Sequence, residues 1–320
     1  AGGDRGSAVV CASLQSLSLR HCDIRSGFAA RLFAALGRHS ALRKLNLAWN
    51  GARQEGAREL ARALSQPACL VEELDLRDNS LGVQDCLPEA LHQLFFHSPG
   101  GGKSPKRRAS GLFLGTPTSE VLADGRVANK TLRVLNLSNN RITVSGAVLL
   151  AEALDVGFEA IEEVYLHHNA DIGDPGMDGV ARLLGSRLGG NSTRQLRVLG
   201  LAACAIGDAG WRTLAGAFAV NDSLEVLDLS CNELTADSAP YLAQVVAGHP
   251  SLERLNVSMN RISLAGLRRL LRDIAAAEHA AEEIAEVDVS AQQPAAEPQP
   301  PAPAASRHDA DGGDIELWTG

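Results

Sequence analysis

The sequence predicts an α/β solenoid: short modules stacked side by side into a horseshoe, with a parallel sheet on the concave side and helices on the convex side. Three observations carry that expectation. One pattern of apolar residues closed by Asn or Cys recurs along most of the 320 residues. Its spacing returns repeatedly to 28 or 29 residues, the signature of a repeat architecture. The core material is aliphatic, since apolar residues make up 45% of the chain and aromatics only 4%.

The pattern is Leu-x-x-Leu-x-Leu-x-x-Asn/Cys-x-Leu, seen plainly in "VLNLSNNRITVSG" (134–146) and again in "RLNVSMNRISLAG" (254–266). It opens at Leu14, Leu42, Val71, Leu132, Ile161, Leu196, Leu224 and Leu252, with a partial unit at Ile284. The ninth slot reads Cys22, Asn50, Asn79, Asn140, Asn169, Cys204, Asn232 and Asn260.

Each unit reads as strand, turn and helix. The alternation at Leu135 and Leu137 fits a short strand with one buried face. The ninth-slot Asn stands where the chain leaves that strand, placed to satisfy backbone groups that no ladder reaches, and Cys is a weaker stand-in. Next come apolar pairs four residues apart: Leu32/Leu36, Leu60/Leu64, Leu150/Leu154, Leu214/Phe218, Leu242/Val246 and Leu270/Ile274. That spacing puts each pair on one face of a helix. Thr143, Asp208, Thr235 and Ser263 precede these helices as expected N-caps. Gly56, Gly146, Gly176, Gly210 and Gly266 are expected to give room where the helix folds back on its strand.

No unit can bury its apolar faces alone, so the units must stack. Strands pack about 4.8 Å apart while helices need about 10 Å, and the mismatch bends the stack. The unit length and the mix of Cys-type and Asn-type units resemble the ribonuclease-inhibitor class of leucine-rich repeats, most clearly in "QPACLVEELDLRDNSLG" (66–82). That repeat also builds the sensor region of NOD-like receptors and the body of Ran GTPase-activating proteins. The resemblance covers roughly residues 10–290 and implies the horseshoe and a protein-binding role. The Ran-type branch carries a unit similar to "VYLHHNADIG" (164–173), preceded here too by an "LSNN" unit (137–140). On that resemblance the alternative function is activation of a small GTPase, with His168 at the place of the family's functional Asn. A further alternative is the sensor region of a NOD-like receptor.

The domain reading is a repeat domain over 1–290, with an insertion loop at 98–130 and a disordered Pro/Ala-rich tail at 291–320. The loop contains "HSPGGGKSPKRRASG" (97–111). Its "GGGKS" is not a P-loop, because position 97 is His rather than Gly and Pro105 forbids the helix that must follow. Its "RRAS" resembles a site for basic-directed kinases, which makes Ser110 a candidate phosphorylation site. The tail includes "DIELWTG" (314–320), with the acidic and aromatic look of a docking segment.

A net charge of −8 argues against nucleic-acid binding, and no apolar run is long enough to span a membrane. Six cysteines without CxxC spacing predict a reducing, cytoplasmic setting. The chain does not begin with Met, which is compatible with a processed or partial protein.

The strand side chains that point away from the core occupy slots three, five, seven and eight and are expected to line the concave face. Two patches are candidate partner-binding sites. Trp49, Glu73, Asp75, Arg77 and Asp78 set an aromatic beside dense charge, and Trp and Arg are typical interface anchors. Tyr165, His167 and His168 form the second. Slots five, seven and eight of the sixth unit, Gly200, Ala202 and Ala203, read as bare. Adjacent His167 and His168 point different ways on extended chain, which disfavours a shared metal. No cofactor or catalytic constellation is evident, so the expected function is a non-enzymatic scaffold, monomeric by itself, that holds a protein partner.

Overall fold

The computed structural model describes residues 13–36, 41–66, 68–96, 129–185, 196–277 and 286–292. The insertion loop through Ala128, Ser110, Ile284 and the tail from 293 onward lie outside the described residues.

Nine three-residue strands form one parallel sheet in sequence order: β1 (Ser16–Ser18), β2 (Lys44–Asn46), β3 (Glu73–Asp75), β4 (Val134–Asn136), β5 (Glu163–Tyr165), β6 (Val198–Gly200), β7 (Val226–Asp228), β8 (Arg254–Asn256) and β9 (Glu286–Asp288). The register is identical throughout, slot three on slot three, as in Ser16 on Lys44 and Arg254 on Glu286. Even β3 and β4, separated by the long insertion, pair Glu73 with Val134. The insertion therefore leaves and rejoins the stack without breaking it.

Among the described residues eight α-helices alternate with the strands: α1 (Ser26–Leu36), α2 (Arg53–Leu64), α3 (Cys86–Phe96), α4 (Val144–Gly157), α5 (Gly173–Gly185), α6 (Asp208–Phe218), α7 (Ala239–Gly248) and α8 (Leu264–Ala277). Parallel strands with a helix in every connection form the leucine-rich-repeat solenoid. A continuous core of Leu, Ile, Val and Ala runs between the two layers, with Phe33, Phe158 and Trp211 as its largest fully buried members.

The ninth-slot ladder holds the turns. Asn169 Nδ2 donates to the carbonyls of Leu137 and Leu166, and its Oδ1 accepts from the N–H groups of Asn140 and Ile142. Asn50, Asn140 and Asn232 repeat the same double exchange with the unit before. The series continues at its end with Gln292, which donates to Val257 and accepts from Ile262 N–H. Cys204 only manages weak sulfur contacts to Leu166 and Ala202 carbonyls, and burial pushes its thiol up to about 12.

Two expectations need correction. Thr143 and Ser263 do cap their helices through the N–H of Gly146 and Gly266, and Thr235 accepts from Asp237 N–H. Asp208, however, is the first residue of α6, and its carboxylate reaches the next unit, where Thr235 N–H and the Thr235 and Ser238 hydroxyls donate to it. Asp85 and Asp174 do the same, taking the Thr143 and Ser145 hydroxyls and the Gly207 N–H. The glycines make room mostly for this neighbour rather than for their own strand. A Cβ on Gly146 or Gly210 would lie 2.4 Å from an oxygen of Asp85 or Asp174, and one on Gly266 would lie 2.9 Å from Ala236 Cα. Gly176 and Gly56 instead meet their own unit first, at Ile172 Cγ2 and Ala52 Cβ.

A buried link on the helical side escaped the pattern. His92 of α3 stands 3.0 Å from Glu152 of α4, which also takes a 2.7 Å bond from Arg182 of α5. Burial alone would raise the Glu152 carboxyl, but the His92 and Arg182 contacts outweigh it and hold the group below its ordinary range.

Candidate functional site

Because each strand is only three residues long, slots three and five are the true face of the sheet. Slot seven already lies in the turn, and Ala48, Ser138, Ala202, Ser230 and Ser258 are all buried there. A local bond fixes this turn. The slot-five Asn or Asp accepts from the slot-seven N–H at Asn46, Asp75, Asn136, Asp228, Asn256 and Asp288. These side chains fold down over the turn, so part of their polarity is spent on the scaffold. Only Arg20, Arg77, His167 and Ser290 keep slot seven open to the surface.

Slot eight forms a rim with an unusual backbone. His21, Trp49, Asp78, Asn139, His168, Ala203, Cys231 and Met259 all have φ between 52 and 61°. None of them is Gly, the residue that region favours. Trp49 is half exposed there. The Arg20 guanidinium lies 5.8 Å from the centre of its ring and the His21 ring stands edge-on at 6.3 Å. Further along the rim the exposed Cys231 thiol stands 3.5 Å from Met259 Sδ.

The charges around Trp49 are largely paired. Lys44 holds Glu73 at 2.6 Å. Arg77 grips Asp75 with two nitrogens, and Asn46 adds a third donor. Asp78 accepts from Asn139. The Asp75 and Asp78 charges support the Arg77 cation, whose pKa is raised first by the Asp75 hydrogen bond. Alongside, slot two alternates sign across neighbouring units, joining Arg43 to Glu72, Arg133 to Glu162 and Arg197 to Glu225. Exposed pairs of this kind add little stability each, but they leave the sheet's entry edge locally neutral.

The second patch is more tightly built. Tyr165 donates to Glu163 at 2.8 Å, and burial together with that carboxylate pushes its hydroxyl up to about 12. It is therefore a fixed donor at neutral pH. The Tyr165 and His167 rings lie 5.7 Å apart. His167 leans over Gly200, and its Nδ1 accepts from Ala202 N–H. Sixth-unit Gly200 is consequently covered, not bare: a Cβ there would sit 2.4 Å from His167 Nε2. Burial is the main cause that holds the His167 pKa below its ordinary value, against the pull of Asp228. His168 is exposed on the rim, with its backbone N–H bonded to Ala202 carbonyl.

Trp49 and Tyr165 belong to the second and fifth units, whose strands lie three spacings, or about 14 Å, apart. One partner can therefore touch both patches. Among the described residues no three His, Cys, Asp or Glu side chains converge as a metal site would, and no helix is long and apolar enough to cross a membrane. The five described cysteines are free thiols.

Comparisons with known proteins agree with this geometry. A family model described as a leucine-rich repeat matches residues 10–27, 128–151, 220–243 and 248–271. Pig (Sus scrofa) ribonuclease inhibitor is 26% identical over 303 residues, covering 84% of this chain and 64% of that protein. Human NACHT, LRR and PYD domains-containing protein 12 is 28% identical over 78% of this chain, though that is only 23% of its own length. Mouse capping protein, Arp2/3 and myosin-I linker protein 2 is 29% identical over 77% of this chain and 17% of its own. The chain thus spans less than two-thirds of the ribonuclease inhibitors, at 64% and 65%, and a minor part of the larger relatives. The repeat, its unbroken register and these relatives show a leucine-rich-repeat protein similar to the ribonuclease inhibitors.

Proposed function

We propose that the chain is a non-enzymatic scaffold, acting in a reducing, cytoplasmic setting, that holds a protein partner against the strand face and its rim. Leucine-rich-repeat proteins are generally protein-interaction scaffolds. The observation that carries the reading here is Trp49: a half-exposed indole flanked by Arg20 and His21, on the same face as Tyr165 and Arg77. Aromatic and Arg anchors on a rigid sheet bind with little ordering cost, since paired charges such as Arg77 with Asp75 already hold their side chains in place. Glu73, Asp75 and Asp78 are engaged by neighbours, so they act as a polar frame around the indole rather than as free acidic hooks.

The test is capture of partners with the native chain, followed by titration of the purified partner against Trp49→Ala, Arg77→Ala and Tyr165→Ala. The expected result is a loss of at least ~2 kcal/mol of binding for Trp49→Ala, with smaller losses for the others. Equal affinity for all three variants places the contact elsewhere.

The match to NACHT, LRR and PYD domains-containing protein 12 supports a second reading, in which the chain is the recognition region of a larger sensor. A longer gene product with a nucleotide-binding module would decide between the two.

A further inference from the structure

The last helix presents a face that nothing described covers. Leu264, Arg268, Leu271 and Ala275 follow one another at spacings of four, three and four, which places them on one stripe of α8. Leu264 is 63% and Leu271 is 62% exposed. In earlier units the position of Leu271 is held by Phe33, Ala61, Ala151 and Ala243, all buried. There the following helix lies against it: a Cβ on Gly56 of α2 would be 3.4 Å from the Phe33 ring. Solenoid ends normally carry a polar outer face. Helix α8 carries an exposed Leu where most earlier units carry Ala, which is the composition of a covered surface.

The stripe is also basic. Arg269 pairs with Asp273, while Arg268 and Arg272 have no carboxylate partner among the described residues. An occupant must therefore bring apolar side chains interleaved with negative charge. The chain itself supplies one in residues 314–318, Asp-Ile-Glu-Leu-Trp, with Asp309 and Asp311 just before them.

The route is short. Gln292, the last described residue, accepts from Ile262 N–H at 3.0 Å, two residues before α8 begins, so the tether starts at the Leu264 end of the helix. A linker of about 21 residues spans about 25 Å as a flexible coil and more where its Pro-rich first half is extended, so it can reach along α8, about 21 Å long. Such a tether gives an effective concentration in the millimolar range, enough for a five-residue contact that would be weak between separate molecules.

We propose that residues 314–318 dock in cis on the Leu264, Arg268, Leu271 and Arg272 face of α8. Ile315, Leu317 and Trp318 cover the two leucines, and Asp314 and Glu316 meet the two arginines. Because the segment is tethered rather than built into the ladder, a stronger partner for either surface displaces it.

The test uses the full chain at dilution, with the photo-crosslinker benzoylphenylalanine placed at position 318. Crosslinks within one chain to residues 264–275 are expected, with a yield that falls roughly fivefold in Arg268→Glu/Arg272→Glu. Crosslinks only between chains would assign the face to a second copy and overturn the proposal. So would crosslinks to other helices, or a yield indifferent to charge reversal. A second measurement leaves α8 unaltered. In the full-length Trp318→Ala chain, α8 amides should exchange about tenfold faster than in the parent while α4 amides stay unchanged. Equal α8 exchange would also overturn it.

Discussion

His167 Nδ1 accepts a 3.0 Å hydrogen bond from the backbone N–H of Ala202, a residue in the next unit of the stack. Six other units satisfy the corresponding N–H with their own slot-five Asn or Asp, as Asn136 does for Ser138. The sixth unit has Gly200 in that slot, so it lacks a side chain to do so and leaves space for a neighbour's ring. His167 and Gly200 are thus a complementary pair, each explaining the other.

That pairing predicts a double-mutant cycle. His167→Ala strands the Ala202 N–H under a nearly closed surface and should cost ~1–3 kcal/mol. Gly200→Asn alone expels the imidazole and should also destabilise. The two together restore the arrangement of the other units, so the double variant should be more stable than His167→Ala. Urea denaturation of the four proteins measures the coupling, and simple additivity would refute the relationship.

The same ring makes stability depend on pH. Burial holds both His167 and His249 below the ordinary imidazole value. His249 is locked as a neutral ring as well, with Nε2 on Asn221 Oδ1 and Nδ1 accepting from Ser251 N–H. A group that binds its proton less readily when folded favours unfolding as acid is added. Their contribution is therefore fully present above the unfolded histidine value, about 6.5, and is lost as pH falls below it. Glu152 adds a further loss at lower pH, since its depressed carboxyl must eventually protonate. Unfolding midpoints taken at pH 8, 6.5 and 5 should decline, and the decline should shrink in His167→Ala/Gly200→Asn. A flat profile would show that the rings titrate normally.

The repeat, its phase and the Asn ladder were legible because each Asn answers a need that its own unit creates in the same place every time. The strand face was only partly so. Alternation implies that slot seven is exposed, but the strands end at slot five and the chain turns before Ser138 or Ser230 can project. Contacts between units were the hardest to see. Asp208 looks like a cap for its own helix, and only the sideways offset of adjacent helices delivers it to Thr235 and Ser238. The slot-two alternation of Arg43, Glu72, Arg133, Glu162, Arg197 and Glu225 is written in the letters, one column across the units. Gln292 was hidden by the Pro-rich composition that follows it, although it stands nine residues into the last unit.

The ladder predicts a graded response to truncation. Asn140 is fully buried and exchanges hydrogen bonds with Leu76, Ser138, Asn79 and Leu81, across the point where the insertion leaves the stack. Asn50 makes equivalent bonds but remains partly exposed, so water can replace some of them. Asn140→Ala should cost at least ~3 kcal/mol and Asn50→Ala clearly less, because a buried group left unpaired carries the full desolvation penalty. Equal losses at the two sites would mean that the bonds themselves, not their burial, set the cost.

The rim offers the cleanest test of backbone strain. Ala203 has φ 54°, a region that costs a non-Gly residue about 1 kcal/mol or more, and its side chain takes no part in a hydrogen bond. Ala203→Gly removes the clash between Cβ and carbonyl but loosens the unfolded chain, two effects of opposite sign. The steric gain is the larger of the two at positive φ, so the variant should be more stable by ~0.5–1 kcal/mol. Ala203→Val, β-branched in the same place, should lose at least ~1 kcal/mol. Thermal and urea unfolding of the three proteins give the order Gly, Ala, Val. If Ala203→Gly were instead the least stable, the rim's left-handed turn would owe its shape to local side-chain packing rather than to the ladder of Cys204 and Asn232 beneath it.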